Sequence, residues 1–340
     1  MRIAVDAMGG DFAPVEIVKG AAEGSKLHDV DVILVGDTDR INKCLPKNFV
    51  GSDRITIQHA TEVIGMSEHV DAVRTKKDAS VVVAASLVKT GLAEAMVSVG
   101  NTAAAMAVAT LKLGRIRGID RPAIATLFPS KSGITIMLDS GAVVDCNVDN
   151  LLQFALMGSI YAEKVLSINS PRVGLLSVGE EKSKGSELIK AAHVALLESP
   201  LNFTGNVEGR DLFSGTVDVL VTDGFAGNVA LKTAEGVAEY TVHMVKQELR
   251  SPLTWIPILM LAPALKRLKK KLDYSEYGGA PLLGLDGICI IGHGRSNARA
   301  VSNAIRAAKE AVQGKVVEAI SESVSIIKEH PLLVTIEDNA

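Results

Sequence analysis

The sequence predicts an α/β fold: a doubly wound, mainly parallel sheet with helices on both faces. Three observations carry that expectation. Short runs rich in β-branched residues alternate with stretches of helical length. Most of those runs close on Gly or Asp, residues that end strands. Apolar residues make up 47% of the chain but aromatics only 4%, so the core is aliphatic, as expected of strands covered on both faces.

Strands are expected, in order, at Arg2–Val5, Val30–Val35, Arg54–Ile57, Ala95–Ser98, Ile134–Leu138, Arg172–Leu176, Val217–Val221 and Ile288–Ile291. Helices are expected at Pro14–Lys26, Ser80–Lys89, Thr102–Leu113, Asp149–Val165, Glu187–Leu197, Gly227–Leu249 and Ser296–Ser323. Pro14 suits a first helical turn, with Asp11 beside it as a cap or a ligand contact. The chain has 340 residues, large for one domain but within the range of α/β proteins. No repeat, low-complexity tract or long linker divides it, so residues 1–340 read as a single α/β domain.

Residues 250–285 depart from the alternation. Leu253 to Leu265 is apolar and holds Trp255, the only tryptophan. As a helix it would rise about 20 Å, too little for a hydrocarbon core of about 30 Å. Leu261, Leu265, Leu268 and Leu272 recur at helical spacing beside Lys266 and the Lys269–Lys271 cluster. Trp255, Leu261 and Leu265 next to Lys269 and Lys270 suit a helical arm that meets an anionic membrane surface or a second copy of the chain.

Composition narrows the function. The net charge of −3 gives no global reason to expect nucleic acid. Cys44, Cys146 and Cys289 have neither metal-ligand spacing nor an even count for pairing, which fits a reducing cytoplasm. Asp6 interrupts the apolar start too early for a signal peptide. There is no Ser-His-Asp signature, no G-x-x-x-x-G-K-[ST] loop and no HExxH.

The chemistry is expected in five glycine-rich turns that follow strands and open helices: residues 6–11, 98–102, 139–142, 177–185 and 222–228. In a parallel sheet such turns share one edge, where helix-opening N–H groups point outward and favour a small anion. Asp6, Gly9, Gly10 and Asp11 form the first turn. Adjacent glycines let a ligand approach the main chain, while the aspartates suit loop geometry, hydrogen-bond acceptance or contact with a metal. Gly100, Asn101 and Thr102 open an alanine-rich helix, with Asn101 or Thr102 as its cap. Lys182 and Lys184 bring cations to the fourth turn, and Lys184, between Ser183 and Gly185, is the better phosphate partner. Asp223, Gly224, Gly227 and Asn228 form the fifth, where the Asn228 amide can donate to an oxyanion. His293 lies between Gly292 and Gly294 and is a candidate for a substrate hydrogen bond. Cys289 reads as a core residue.

Five segments in this order resemble the phosphate acyltransferase family of bacterial phospholipid synthesis, also called acyl-ACP:phosphate acyltransferase. They are MRIAVDAMGGD at the start, GRIRGIDRPA (114–123), SPRVGLLSVGEEKSKG (170–185), VTDGFAGN (221–228) and YSEYGGAPLLGLDG (274–287). The resemblance implies a fold similar to isopropylmalate dehydrogenase and phosphate acetyltransferase, and an enzyme that makes acyl phosphate from inorganic phosphate and acyl-[acyl carrier protein]. It implies a homodimer that is cytoplasmic and peripherally membrane-associated. Acyl carrier protein and a downstream membrane acyltransferase are the implied partners, and no cofactor or metal is expected. Carried over by motif, Lys184 and Asn228 are the expected catalytic pair, with Asp6, Gly9, Gly10, Asn101 and Thr102 around the ligand. The family pattern differs at Ala103, at Val143 and at Arg295, which leaves Val143 outside the expected site and the part of Arg295 open.

The chemistry implied is direct attack of phosphate on the thioester. A thiol leaving group with a pKa near ~8.5 needs little acid help, so positioning and oxyanion stabilisation dominate. The stretch from Lys266 to Lys271, or Arg115 with Arg117, is a candidate docking point for the acidic carrier. The alternatives are a phosphate acetyltransferase-like enzyme using acyl-CoA, an NAD-dependent dehydrogenase of similar fold, and a non-catalytic membrane scaffold. The dehydrogenase would need a G-x-G-x-x-G turn, which the chain lacks.

Overall fold

Along the first strand, β1 (Arg2–Asp6), successive side chains enter different cores: Ile3 and Val5 one, Ala4 another. That period of two is how a strand buried on both faces behaves, and it recurs through the molecule. The structure, a computed structural model, describes residues 1–49, 51–248 and 278–329. The expected arm residues Trp255, Leu261, Leu265, Lys269 and Lys270 lie outside the described residues.

The strands form two sheets rather than the single one expected. The first has seven strands: β2 (Asp31–Gly36), β3 (Ile55–His59), β4 (Ala95–Ser98), β5 (Ala123–Ile124), β11 (Ala280–Leu283) and β12 (Ile288–Ile291) join β1 in the order β3-β2-β1-β4-β12-β11-β5. The second has five: β6 (Thr126–Ser130), β7 (Gly133–Leu138), β8 (Val173–Leu176), β9 (Phe203–Val207) and β10 (Val219–Val221), in the order β6-β7-β10-β8-β9. Pairing is parallel except at β11, with both its neighbours, and between β6 and β7. Residues 280–283, expected at the end of the arm, are therefore a strand.

Helices α1 (Val15–His28), α2 (Thr38–Cys44), α3 (Ala72–Thr75), α4 (Ser80–Lys89) and α5 (Thr102–Leu113) follow the early strands. In the second half come α6 (Val148–Lys164), α7 (Glu187–Glu198) and α8 (Gly224–Glu248). The helix expected over 296–323 is two, α9 (Ala298–Gln313) and α10 (Val316–Glu329), broken where Lys315 takes a left-handed φ of 50°.

One face of the first sheet packs on α1 and α9, the other on α4 and α5. The second sheet lays Leu138, Val173 and Val221 on α6 and α7, while Met137 and Leu220 turn toward Leu231 and Ala234 of α8. The largest core cluster draws on both sheets, with Val5 and Val97 from one and Leu138 and Val221 from the other.

Candidate active site

The five turns fall into two groups because their strands lie in two sheets. The turns after β1 and β4 leave neighbouring strands of the first sheet, where the His293 turn after β12 joins them; those after β7, β10 and β8 leave three neighbouring strands of the second.

In the first group Asp6 closes β1, only 3% exposed. Its carboxylate accepts from Ser80 Oγ at 2.6 Å, Ser98 Oγ at 2.8 Å and the Met8 N–H at 3.3 Å. Burial raises its pKa above the ordinary carboxylate value, and these donors pull it back in part. A side chain at Gly9 would meet Asp6 Oδ2 at 2.5 Å and Gly100 Cα at 2.9 Å, so only glycine lets the turns after β1 and β4 touch. Gly10 has a φ of 101°, and Asp11, exposed, donates its N–H to the Gly294 carbonyl at 2.8 Å. Asp11 does not cap α1, whose N-cap residue is Pro14, without a side-chain cap bond.

Asn101 is the cap of α5, accepting from Ala104 N at 3.0 Å, while its Nδ2 donates to the Gly65, Met66 and Glu68 carbonyls. The amide is thereby committed to structure. Thr102 is exposed at the first helical position. His293 is exposed and its Nδ1 accepts from Arg295 N at 3.2 Å. The cleft beside Asp6 is lined by Gly9, Ser80, Ser98, Gly100 and Asn101, residues of this half alone.

The second group is organised by Asp139, fully buried just after β7. One oxygen accepts from Ile124 N at 2.9 Å and Gly141 N at 3.2 Å; the other accepts from Ala142 N at 2.8 Å and Val143 N at 2.7 Å. Burial raises its pKa, opposed by these four donors. Ile124 belongs to β5 of the first sheet, so this carboxylate also pins the crossing between sheets. The sequence places the turn but gives no sign of that role for Asp139, because the donor at Ile124 comes from a different strand.

Asp223 caps α8 through Ala226 N at 2.8 Å. The helix begins at Gly224, earlier than expected, so Asn228 stands within its second turn and is not a cap. Asn228 is exposed, makes no side-chain hydrogen bond among the described residues, and lies against Gly141: a Cβ there would be 3.6 Å from Asn228 Oδ1. Gly224 donates its N–H to the Val143 carbonyl at 2.8 Å, and Gly227 packs on the Asp139 carbonyl.

Lys184 sits in the turn after β8, on the strand next to β10 and at the same edge. It is exposed and has no ion pair or side-chain hydrogen bond among the described residues; Lys182 is also exposed. Gly185 follows with a φ of 97°, and Ser186 caps α7 through Ile189 N. An exposed cation and an exposed amide thus leave adjacent strand ends, beside a turn whose N–H groups are held by Asp139. Cys146 is no nucleophile there: burial, with Asp139, Asp223 and Asp145 nearby, pushes its thiol up to about 11. Among the described residues no group of three or more His, Cys, Asp or Glu side chains is arranged for a metal ion. No helix among them is long and apolar enough to cross a membrane.

The fold is shared with the phosphotransacetylases: a crystal structure of a phosphotransacetylase from Streptococcus pyogenes superposes with a TM-score of 0.61, at 17% identity, over 94% of each chain. The family described as fatty acid synthesis protein matches residues 1–319. Phosphate acyltransferase from Pelotomaculum thermopropionicum is 52% identical over 330 residues, covering 96% of each chain. Phosphate acyltransferase from Heliobacterium modesticaldum is 53% identical over 327 residues, covering 95% of this chain and 98% of that one. The chain belongs to the phosphate acyltransferase family.

Proposed function

We propose that the protein makes acyl phosphate from an acyl thioester of acyl carrier protein and inorganic phosphate, at the edge of the second sheet. The observation that carries this reading is the pair of uncommitted polar groups, the Lys184 ammonium and the Asn228 amide, on adjacent strand ends beside the Asp139 turn.

Lys184 neutralises phosphate charge and holds it. A phosphate oxygen attacks the thioester carbonyl carbon; the new C–O bond forms as the carbonyl electrons move onto oxygen. Asn228 donates to that oxyanion. Collapse restores the carbonyl and breaks the acyl C–S bond, and the sulfur leaves as the thiolate of the carrier's prosthetic arm. Among the described residues no nucleophile and base pair stands beside these two, and the protein contributes by positioning and oxyanion stabilisation. Asp6 and Asp139 shape the two groups of turns from beneath. Gly9, Gly10 and Gly100 in one group let neighbouring turns close on each other, Gly224 and Gly227 in the other let α8 close on the Asp139 turn, and Asp11, Thr102 and His293 border the first group.

Family membership favours acyl transfer over nicotinamide chemistry. The product carries a long apolar tail and feeds phospholipid synthesis, which gives residues 250–272 a purpose as an arm at the dimer and an anionic membrane surface. The acidic carrier docks on exposed Arg115 and Arg117, whose positive charge complements it.

The test is phosphate-dependent release of free thiol from palmitoyl-acyl carrier protein, with palmitoyl-CoA in parallel. Faster release from the carrier that needs phosphate supports the reading. Release from CoA alone points to an acyl-CoA donor, and no phosphate dependence overturns it.

A further inference from the structure

The turn that carries Lys184 is tied to β9 at two points. Ser177 N donates to the Val207 carbonyl at 2.8 Å, and Asn206 Nδ2 donates to the Glu181 carbonyl at 3.0 Å. That same Glu181 carbonyl accepts the Lys184 N–H at 2.9 Å. One oxygen therefore joins the internal bond of the turn to an external tether.

The tether is built from buried polar groups. Asn206 is 6% exposed and His193, on α7, is 7% exposed; His193 Nδ1 lies 2.9 Å from Asn206 Oδ1. A carbonyl can only accept, so Asn206 must turn its NH2 toward Glu181 and its oxygen toward the ring. His193 Nδ1 must then carry the hydrogen. The ring is held edge-on to Phe203, with centroids 5.2 Å apart. The Asn206 amide and His193 Nδ1 have one arrangement that satisfies both of these bonds, which is how a buried network fixes a unique geometry.

We propose that Asn206 and His193 are positioning residues for phosphate binding: through the Glu181 carbonyl they hold the main chain at Lys184, so that an exposed lysine is presented in one place before the ligand arrives. Preorganising the turn removes an ordering cost from phosphate binding. The proposal rests on the reading of Lys184 as the phosphate-binding cation and deepens it.

The test measures kcat and both KM values in the carrier-thiol assay for Lys184→Ala, Asn206→Ala, His193→Leu and His193→Asn, with thermal unfolding as a control. Asn places a donor where Nδ1 stood, and Leu does not. Lys184→Ala and Asn206→Ala should each raise the phosphate KM, Asn206→Ala by roughly 10-fold or more, with the acyl-carrier KM within about 2-fold. His193→Leu should shift the phosphate KM the same way, and His193→Asn should restore it. If Lys184→Ala raises the phosphate KM but Asn206→Ala and His193→Leu do not, the tether is structural only and the proposal falls. If Lys184→Ala leaves it unchanged, the phosphate reading falls and takes the tether with it. Should Asn206→Ala fail to fold, the two His193 variants decide by the same criterion.

Discussion

The backbone carbonyl of Asp139 occupies the space that a side chain on Gly227 would need, well inside van der Waals contact. The two residues lie on turns from adjacent strands, β7 and β10. The close approach sets the first turn of α8 against the turn beside Asn228. Gly227→Ala must push them apart, at a cost of about 1–3 kcal/mol. Denaturant unfolding should register that loss, and the carrier-thiol assay should lose activity well beyond it. Wild-type activity at reduced stability would show that the spacing of these turns does not matter to the chemistry.

Lys184 and Asn228 should separate kinetically. On the proposed function Lys184→Ala acts on phosphate binding, so it should raise the phosphate KM. On the same proposal Asn228→Ala removes a donor used once the oxyanion forms, so kcat should fall about 10²–10³-fold with little change in phosphate KM. Equal effects of both variants on phosphate KM alone would remove Asn228 from the oxyanion role.

The two buried carboxylates should respond differently to amide substitution. Asp6 accepts from two hydroxyls, and a hydroxyl can turn round to accept from an amide. Asp139 accepts only from backbone N–H groups on both oxygens, so Asp139→Asn sets N–H against N–H. Asp139→Asn should cost about 1–3 kcal/mol more than Asp6→Asn, measured by urea unfolding. Equal costs would contradict this account of the two acceptor sets.

A pH-dependent contribution comes from Asp218 and Arg172, joined at 2.9 Å. Burial pushes the Asp218 carboxyl up, but hydrogen bonds from the Arg172 side chain and backbone pull harder and leave it below its ordinary value of 3.8. A lowered folded pKa means that the unfolded chain binds the proton first. The stabilisation is therefore present above the unfolded value and lost as pH falls through the folded one. Asp218→Asn should cost about 1–2 kcal/mol at pH 7, and the gap to wild type should narrow as pH falls below the ordinary value of 3.8 and through the lowered folded one. A gap that is constant from pH 7 to pH 3 would assign the loss to packing.

Local pattern made much of this architecture legible. The strands at Ala95–Ser98 and Ile288–Ile291 and the helices at 80–89 and 102–113 stand where alternation, Gly and Asp punctuation and helical spacing put them. The strands that escaped notice lack those cues. Ala123–Ile124 has two residues, Thr126–Ser130 contains Pro129 at a sheet edge, Phe203–Val207 contains Gly205, and Ala280–Leu283 follows a glycine pair and contains Pro281. The division into two sheets was not legible, because no local pattern says which strands pair. The site divides the same way. Lys184, Asn228 and the glycines are visible as turn residues, whereas the role of Asp139 and the Asn206 tether depend on partners from other strands.

The most direct test is a crystal structure with inorganic phosphate bound. Phosphate should lie within hydrogen-bond distance of Lys184 Nζ, with the Asn228 amide facing the open side where the thioester carbonyl must arrive. Phosphate bound only beside Asp6 at the first sheet, with Lys184 and Asn228 untouched, would contradict the account.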